Sequence, residues 1–133
     1  MTEIPADDDR CPCGSGLTFA ECCAPILRGT RKPGSAEMLM RSRFTAFSID
    51  DRDYLLDSWH PRTRPRNLVL DRSMRWIRLE IESASAGGPF DTTGEVVFAA
   101  HYTVNGVRGI LHERSRFEKY DGVWVYVDGV VEP

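Results

Sequence analysis

An α+β fold, with helices first and an antiparallel sheet after them, is predicted by a change of period along the chain. Apolar residues between Ala36 and Phe47 recur at helical spacing, whereas segments from Trp76 onward alternate between apolar and polar residues. Two dipeptides typical of tight hairpins, Asn105-Gly106 and Asp121-Gly122, separate the last three alternating segments. This order favours helices packed in a curved antiparallel sheet, which together form a cone with an open mouth.

The predicted helices have recognisable ends. Ser35 is the expected N-cap of a helix over residues 36–47, because a serine oxygen there accepts a free backbone N–H. A second helix over residues 52–59 begins after Asp51. Pro61 ends it, since the residue before a proline avoids the helical conformation.

Four strands are expected after the helices, over residues 76–83, 95–104, 107–119 and 123–128. Side chains alternate between the two faces of a strand. On the first strand this alternation assigns Ile77, Leu79 and Ile81 to one face and Trp76 to the opposite face.

The cysteines of this chain are clustered near its start, at positions Cys11, Cys13, Cys22 and Cys23. Four thiolates suit a structural zinc, which takes four soft ligands in a tetrahedron and then has no open position for water. A short helix over residues 18–21, capped by Ser15, is expected to carry the last two cysteines back to the metal. Disulfide bonding or redox use of the neighbouring thiols is the alternative.

The segment CPCGSGLTFAECC resembles the SEC-C motif, in which Cys-Pro-Cys-Gly-Ser-Gly precedes an aromatic residue and a final Cys-Cys or Cys-His pair. By this resemblance Cys11, Cys13, Cys22 and Cys23 are zinc ligands. The motif also ends the SecA translocation ATPase, where it binds zinc and contacts partner proteins. The resemblance therefore implies that a protein partner can bind through the zinc knuckle.

Composition divides the chain into an acidic flexible tail, the zinc knuckle, a linker and the cone domain, at residues 1–10, 11–28, 29–34 and 35–133. Because a linker separates the knuckle from the cone, metal removal is expected to unfold the knuckle and spare the cone. The acidic start lacks the apolar stretch of a signal peptide, and no segment approaches the ~20 apolar residues of a membrane span. We therefore expect a cytoplasmic protein that does not contact membranes.

The chain as a whole resembles the YchJ-like family, which joins a SEC-C knuckle to a cone like that of nuclear transport factor two, ketosteroid isomerase and SnoaL-like cyclases. The resemblance spans Cys11 to Gly129 and rests on the knuckle and on the segments LMRSRFTAF, DYLLDSWHP, LHERSRF and GVWVYVDG. It implies a fold and a zinc ion, but no reaction.

Charge is unevenly distributed. Residues 28–78 hold twelve Lys and Arg against six Asp and Glu, whereas residues 79–133 hold four against nine. The densest basic run contains Arg62, Arg64 and Arg66. Its arginines suit phosphate or nucleic acid, or they form a solvated loop that pairs with the acidic C-terminal half. With a pI near 5.6, binding of nucleic acid is not expected.

Glu113 is the candidate polar residue of the cone interior, because it alternates with the apolar residues Leu111 and Phe117. A carboxylate there can serve as a general acid or base in a pocket. The favoured interpretation is instead structural: a buried ion pair between Glu113 and Arg41 or Arg43 from the first long helix, because arginine is abundant there.

Several aromatic residues can either fill the core or line a pocket for a small apolar ligand. They are Phe44, Tyr54, Trp59, Trp76 and Trp124. His60, at the predicted end of a helix, either caps that helix or joins the pocket.

Two functions are consistent with these features. The favoured one is a binding or adaptor protein with a structural zinc, and the alternative is a small-molecule-binding protein or an enzyme of isomerase, cyclase or hydrolase type. An open, apolar-walled cavity that Glu113 faces would favour the alternative. A filled cone with Glu113 bonded to an arginine would exclude it.

Overall fold

The chain folds around one long helix and one four-stranded sheet. The computed structural model describes residues 4–132. In that part of the chain, helices α1 to α3 precede strands β1 to β4, with the bounds Cys23–Leu27, Ala36–Ser48, Arg52–Asp57, Met74–Ala86, Thr93–Val104, Val107–Tyr120 and Val123–Val131. The predicted α+β fold is therefore confirmed.

Side-chain caps fix the start of α2 and of α3. The Ser35 hydroxyl accepts the backbone N–H of Met38 at 3.1 Å, and the Asp51 carboxylate accepts that of Tyr54 at 3.1 Å. Each cap satisfies one of the N–H groups that a helix start leaves without an internal partner.

Helix α3 ends at Asp57, two residues before the predicted end. The backbone after it pairs with strand β4 instead of continuing the helix. The N–H of Tyr126 donates to the carbonyl of Ser58 at 2.8 Å, and the N–H of His60 donates to the carbonyl of Tyr126 at 2.7 Å. The backbone N–H and C=O groups after Asp57 therefore bond to β4, and they are not available to extend the helix by two more residues.

The sheet is an antiparallel meander in the order β1-β2-β3-β4. Both predicted hairpin turns are present between the last three strands. Asn105 and Gly106 have φ values of 50° and 82°, and Asp121 and Gly122 have φ values of 51° and 77°. Positive φ at both central residues gives a turn whose twist matches that of the strands it joins.

A register shift in β1 changes which side chains face the core. The pairing of β1 with β2 slips between Trp76 and Arg78, and a bulge of this kind reverses the alternation beyond it. Trp76 therefore packs against the core together with Leu79, whereas Ile77 is 55% exposed. The predicted placement of Ile77 with Leu79, and of Trp76 on the opposite face, is wrong for this reason.

The main hydrophobic core lies between α2 and one face of the sheet. Its buried members come from α2 and all four strands: Ala36, Leu39, Met40, Phe44, Leu79, Val96, Phe98, Ala100, Phe117 and Trp124. The members from β2, Val96, Phe98 and Ala100, alternate along that strand and share its inward face.

A second buried cluster surrounds the cysteines and includes Phe19 and Ala24. Met38 of α2 packs against it, so the knuckle and the cone are in direct contact. The expectation that the linker at residues 29–34 keeps the two parts separate does not hold.

Residues of the predicted tail also join the knuckle. The backbone N–H of Phe19 donates to the carbonyl of Asp9 at 2.8 Å, and that of Ala20 to the carbonyl of Asp7 at 3.0 Å. Residues 1–3 of the tail, and residue 133, lie outside the described residues. None of the described helices has the length and hydropathy that crossing a membrane requires.

Candidate functional site

The four thiols form one compact buried cluster. The sulfurs of Cys11, Cys13, Cys22 and Cys23 lie within 4.8 Å of one another, and each residue is at most 4% exposed. The Sγ atom of Cys22 is 3.6 Å from that of Cys13 and 4.0 Å from that of Cys23. Four ligands about 2.3 Å from a zinc ion would place their sulfurs about 3.8 Å apart. The cluster can therefore hold a metal ion with little movement.

The loop between the cysteine pairs differs from the predicted short helix. The N–H of Glu21 donates to the carbonyl of Thr18 at 3.1 Å and that of Cys22 to the carbonyl of Phe19 at 3.2 Å, so residues 18–22 form consecutive turns, and helix α1 begins only at Cys23. Ser15 does not cap a helix. Its hydroxyl donates to the Cys22 sulfur at 3.1 Å, which stabilises a thiolate directly.

The thiols differ in acidity because they hydrogen-bond one another. Hydrogen bonds from Cys11 and Cys23 hold the pKa of Cys13 far below its usual range. Hydrogen bonds with Cys11 and Cys13 raise the pKa of Cys23, and burial raises the pKa of Cys22 to about 11. A metal ion that binds here must displace the remaining thiol protons.

Helix α2 supplies polar groups to the thiol cluster that sequence reasoning missed. The buried Thr45 hydroxyl donates to the Cys23 sulfur at 3.4 Å and lies 3.8 Å from the Cys11 sulfur. The Arg41 guanidinium donates to the carbonyl of Cys13 at 2.8 Å. Four thiolates around a divalent cation carry a net charge of about −2. A hydroxyl donor and a nearby cation from α2 both stabilise that charge.

A cavity of about 120 Å³ lies on another face of α2, between that helix, the chain just after α3 and the sheet. Most of its walls are apolar or aromatic. The lining residues are Met40, Arg43, Phe44, Phe47, Trp59, Trp76, Phe98, Ala100, Leu111, Glu113, Ser115 and Tyr126.

Glu113 faces this cavity without an arginine partner. Its carboxylate accepts the hydroxyl of Ser115, and it lies against Gly129, where a Cβ atom would collide with it. No ion pair joins Glu113 to Arg41 or Arg43 in the described part of the chain, because Arg41 pairs with a glutamate of its own helix and Arg43 bonds elsewhere. The favoured prediction of a Glu113–arginine pair is therefore wrong.

Arg43 is a buried cation in the cavity wall. It is 3% exposed, and its Nη1 atom donates to the carbonyl of Leu55 at 2.8 Å and to the hydroxyl of Ser58 at 2.7 Å. Its guanidinium carbon lies 4.9 Å from the ring centre of Trp59 and 4.5 Å from that of Tyr126. Burial lowers its pKa to about 10, so Arg43 remains charged at neutral pH.

Four of the seven residues predicted for a pocket line the cavity: Phe44, Trp59, Trp76 and Glu113. The lining residues that were not named as candidates come largely from faces whose alternation was recognised. Phe98 and Ala100 share the inward face of β2, and Leu111 and Ser115 share that of β3 with Glu113. That shared face was the signal that could have identified them.

The other three predicted pocket residues lie elsewhere. The Tyr54 hydroxyl is 2.6 Å from that of Ser42, and burial raises the pKa of Tyr54 to about 12. His60 approaches Glu118 at 3.7 Å, outside the cavity. Trp124 is 2% exposed and belongs to the main core. These three residues hold elements together and do not form the cavity wall.

Arginines of the basic loop make contacts within the protein. Arg62 lies 3.3 Å from the Glu118 carboxylate, and Arg64 donates to the carbonyl of Trp59 at 3.0 Å. These contacts favour the solvated loop that pairs with acidic residues over a phosphate site.

On the outer face of the sheet, His112 forms a 2.6 Å contact with Glu82, and that hydrogen bond raises the pKa of His112.

Comparison with known proteins agrees with this architecture of a SEC-C knuckle on a cone-shaped domain. Residues 9–25 match the SEC-C motif, and residues 35–129 match the middle, NTF2-like domain of YchJ. The chain belongs to the YchJ-like family. Its similar sequences carry the name UPF0225 protein. One from Streptomyces coelicolor is 52% identical over 90% of this chain and 93% of its own length, and one from Corynebacterium efficiens is 50% identical over 96% and 98%.

Two solved structures share the fold. The solution structure of a SEC-C motif containing protein from Rhodopseudomonas palustris has a TM-score of 0.82 at 33% identity, and covers 92% of this chain and 98% of that one. The crystal structure of another such protein, from Psychrobacter arcticus, has a TM-score of 0.77 at 22% identity, over 96% and 85% of the two chains.

Proposed function

We propose that this protein binds one small, largely apolar molecule in its cone, and that its cysteine cluster holds a structural zinc ion which braces the cone. The observation that carries the proposal is the cavity, whose walls are apolar and which Glu113 faces without an arginine partner. Small-molecule sites are typically apolar cavities with a few placed polar groups. This was the condition under which the sequence favoured ligand binding over an adaptor role.

The thiol cluster supports zinc as the metal. Four buried sulfurs at the spacing of a tetrahedral site suit zinc, which has no redox chemistry and accepts thiolates readily. Four protein ligands fill the tetrahedron, so a bound zinc would have no position for water or substrate. The proposed role of the metal is therefore structural.

Helix α2 connects the two proposed sites. Met38, Arg41 and Thr45 face the cysteine cluster, whereas Phe44 and Phe47 face the cavity. At about 100° per residue, the centres of these two sets lie roughly 120° apart around the helix axis, on different faces of the helix. A metal that fixes one face of α2 would also fix the cavity wall on the other face.

Titration of the zinc-loaded protein with toluene, followed by amide NMR shifts, tests ligand binding. Shifts confined to α2 and the inner strands are expected. Ala100→Leu should abolish them, because Ala100 is buried in the cavity wall and a larger side chain fills the space. Leu111→Phe is a second filling variant in case the first does not fold. Absence of shifts in the wild type, or equal shifts in a folded filled variant, would exclude the cavity as a binding site.

Metal analysis of the purified protein tests the zinc proposal. One zinc ion per chain is expected, and Cys22→Ser should lose it, whereas Ser15→Ala should still purify with zinc but bind it more weakly, because it keeps all four sulfurs and loses one hydrogen bond to Cys22. A different metal in the wild type, or full zinc in Cys22→Ser, would contradict the assignment.

Binding of a protein partner by the knuckle stays a prediction, which affinity capture with wild type and Cys22→Ser can test.

A further inference from the structure

We propose that the cone cavity selects an uncharged, ring-sized molecule with one hydrogen-bond donor, and that this donor binds the carboxylate of Glu113. The inference rests on the proposed ligand-binding function and specifies its ligand class. Three properties of the cavity carry it: its volume, the balance of charge in its wall and the kind of hydrogen-bonding capacity that remains free.

The volume sets the size of the ligand. The cavity of about 120 Å³ is slightly smaller than an engineered cavity of about 150 Å³ that accommodates benzene. Rings from Phe44, Trp76 and Phe98 form much of the wall, and rings pack well against rings in offset or edge-to-face arrangements. A single six-membered ring with one small substituent therefore suits the space.

The charges in the wall oppose a charged ligand. Among the described lining residues, Arg43 and Glu113 are the charged side chains, one of each sign. They influence each other electrostatically without forming an ion pair. A cationic ligand would be attracted to Glu113 and repelled by Arg43. An anionic ligand would be attracted to Arg43 and repelled by Glu113. Neither gains enough to offset its loss of water on entering an apolar cavity.

The cavity wall offers free hydrogen-bond acceptor capacity on Glu113. The Arg43 Nη1 atom is used by the protein, and its guanidinium lies over two aromatic rings. The indole N–H of Trp59 has no hydrogen-bond partner in the described structure, but its nitrogen is shielded from contact. Glu113 differs, because an ionised carboxylate offers about four acceptor positions, and the hydroxyls of Ser115 and Tyr126 occupy two of them. A ligand with a donor group would use this free capacity.

Four probes of similar size test the inference on the zinc-loaded full chain: phenol, toluene, benzylamine and benzoate. Calorimetry or NMR titration should show phenol binding about tenfold more tightly than toluene, because a hydrogen bond to a charged acceptor is among the stronger ones. Benzylamine and benzoate should bind more weakly than phenol. Glu113→Gln should reduce the preference for phenol severalfold, and it should improve benzoate binding because Arg43 then has no opposing charge.

Gly129→Ala provides a second variant that leaves Glu113 in the sequence. Its added Cβ atom would displace the carboxylate, so the preference for phenol should fall there as well, while toluene binding stays close to that of the wild type. Val130→Ala, a change at an exposed neighbour, is the matched control and should leave all four affinities unchanged.

The possible results separate this inference from the function on which it rests. If toluene binds as well as phenol, or if benzylamine or benzoate binds best to the wild type, the inference is wrong and ligand binding stands. A preference for phenol that survives in both variants also overturns it. If none of the four probes binds, the proposed ligand-binding function fails together with the inference.

Discussion

The cysteine knuckle and the cone cavity are built in different ways. The knuckle takes all four sulfurs from residues 11–23, a segment that reverses direction in tight turns, so that residues close in sequence form the whole cluster. The cavity takes its lining from α2, the chain after α3 and all four strands, so that residues 40 and 126 share one wall. A short-range constellation can be recognised from spacing alone, whereas a long-range one exists only after the sheet has formed.

The two regions nevertheless share helix α2. Thr45 and Arg41 bond to the cysteine loop, and Arg43 and Phe44 lie on the cavity side. We therefore expect that disturbing either region will affect the other through this helix. The following predictions test how far that coupling extends.

Removal of the metal should have the largest effect. Chelation is expected to lower the free energy of unfolding of the whole chain by several kcal/mol. The binding free energy of a structural zinc is folding free energy, about 10 kcal/mol or more in isolated zinc fingers. Urea denaturation followed by circular dichroism, with and without chelator, measures this change. A cone that unfolds at the same urea concentration after chelation would show that α2 does not transmit the effect.

Replacement of Arg43 tests the interior of the cone. Arg43→Met should lower the free energy of unfolding by about 2 kcal/mol, because the carbonyl of Leu55 and the hydroxyl of Ser58 lose a charged donor. Arg64→Met, in the exposed loop, is the control and should change it by less than about 0.5 kcal/mol. Urea unfolding of both variants measures the difference. Unchanged or increased stability of Arg43→Met would mean that the buried charge costs as much as its contacts contribute.

Replacement of Thr45 tests the contact from the cone to the metal. Thr45→Val keeps the shape of the side chain but removes the donor to the Cys23 sulfur, and should weaken zinc binding by about 10- to 100-fold. Thr45→Ser keeps the hydroxyl and should retain most of the affinity. Competition with a chromophoric chelator gives both constants. Equal affinities of the valine variant and the wild type would show that α2 only packs against the cluster.

The smallest expected effect is a dependence on pH at the outer face of the sheet. The hydrogen bond to Glu82 raises the pKa of His112 above its usual value near 6.5. A raised pKa in the folded state stabilises the protein fully below pH 6.5, and this contribution disappears as the pH rises through the folded-state pKa. NMR titration of His112 should show the raised pKa, and Glu82→Gln should return it toward 6.5. No change in Glu82→Gln would contradict the contact.

Much of this architecture could be predicted because its signals are local. The cysteine spacing, the caps Ser35 and Asp51 and the two hairpin turns each depend on residues close in sequence. Predictions failed where distant segments meet. Helix α3 ends early because its next residues pair with β4, and the Ile77 side chain points outward because β1 slips against β2.

The sequence by itself determined the fold class, the cysteine cluster that could hold a metal ion and the family, because periodicity, turn chemistry and a thirteen-residue motif do not depend on the rest of the chain. Only the tertiary structure decided that Glu113 faces an open cavity and has no arginine partner. The partners of Arg43 are the carbonyl of Leu55 and the hydroxyl of Ser58, which the folded chain brings to it. Hydrogen bonds between segments distant in sequence, and not the number of nearby arginines, determine which charges pair.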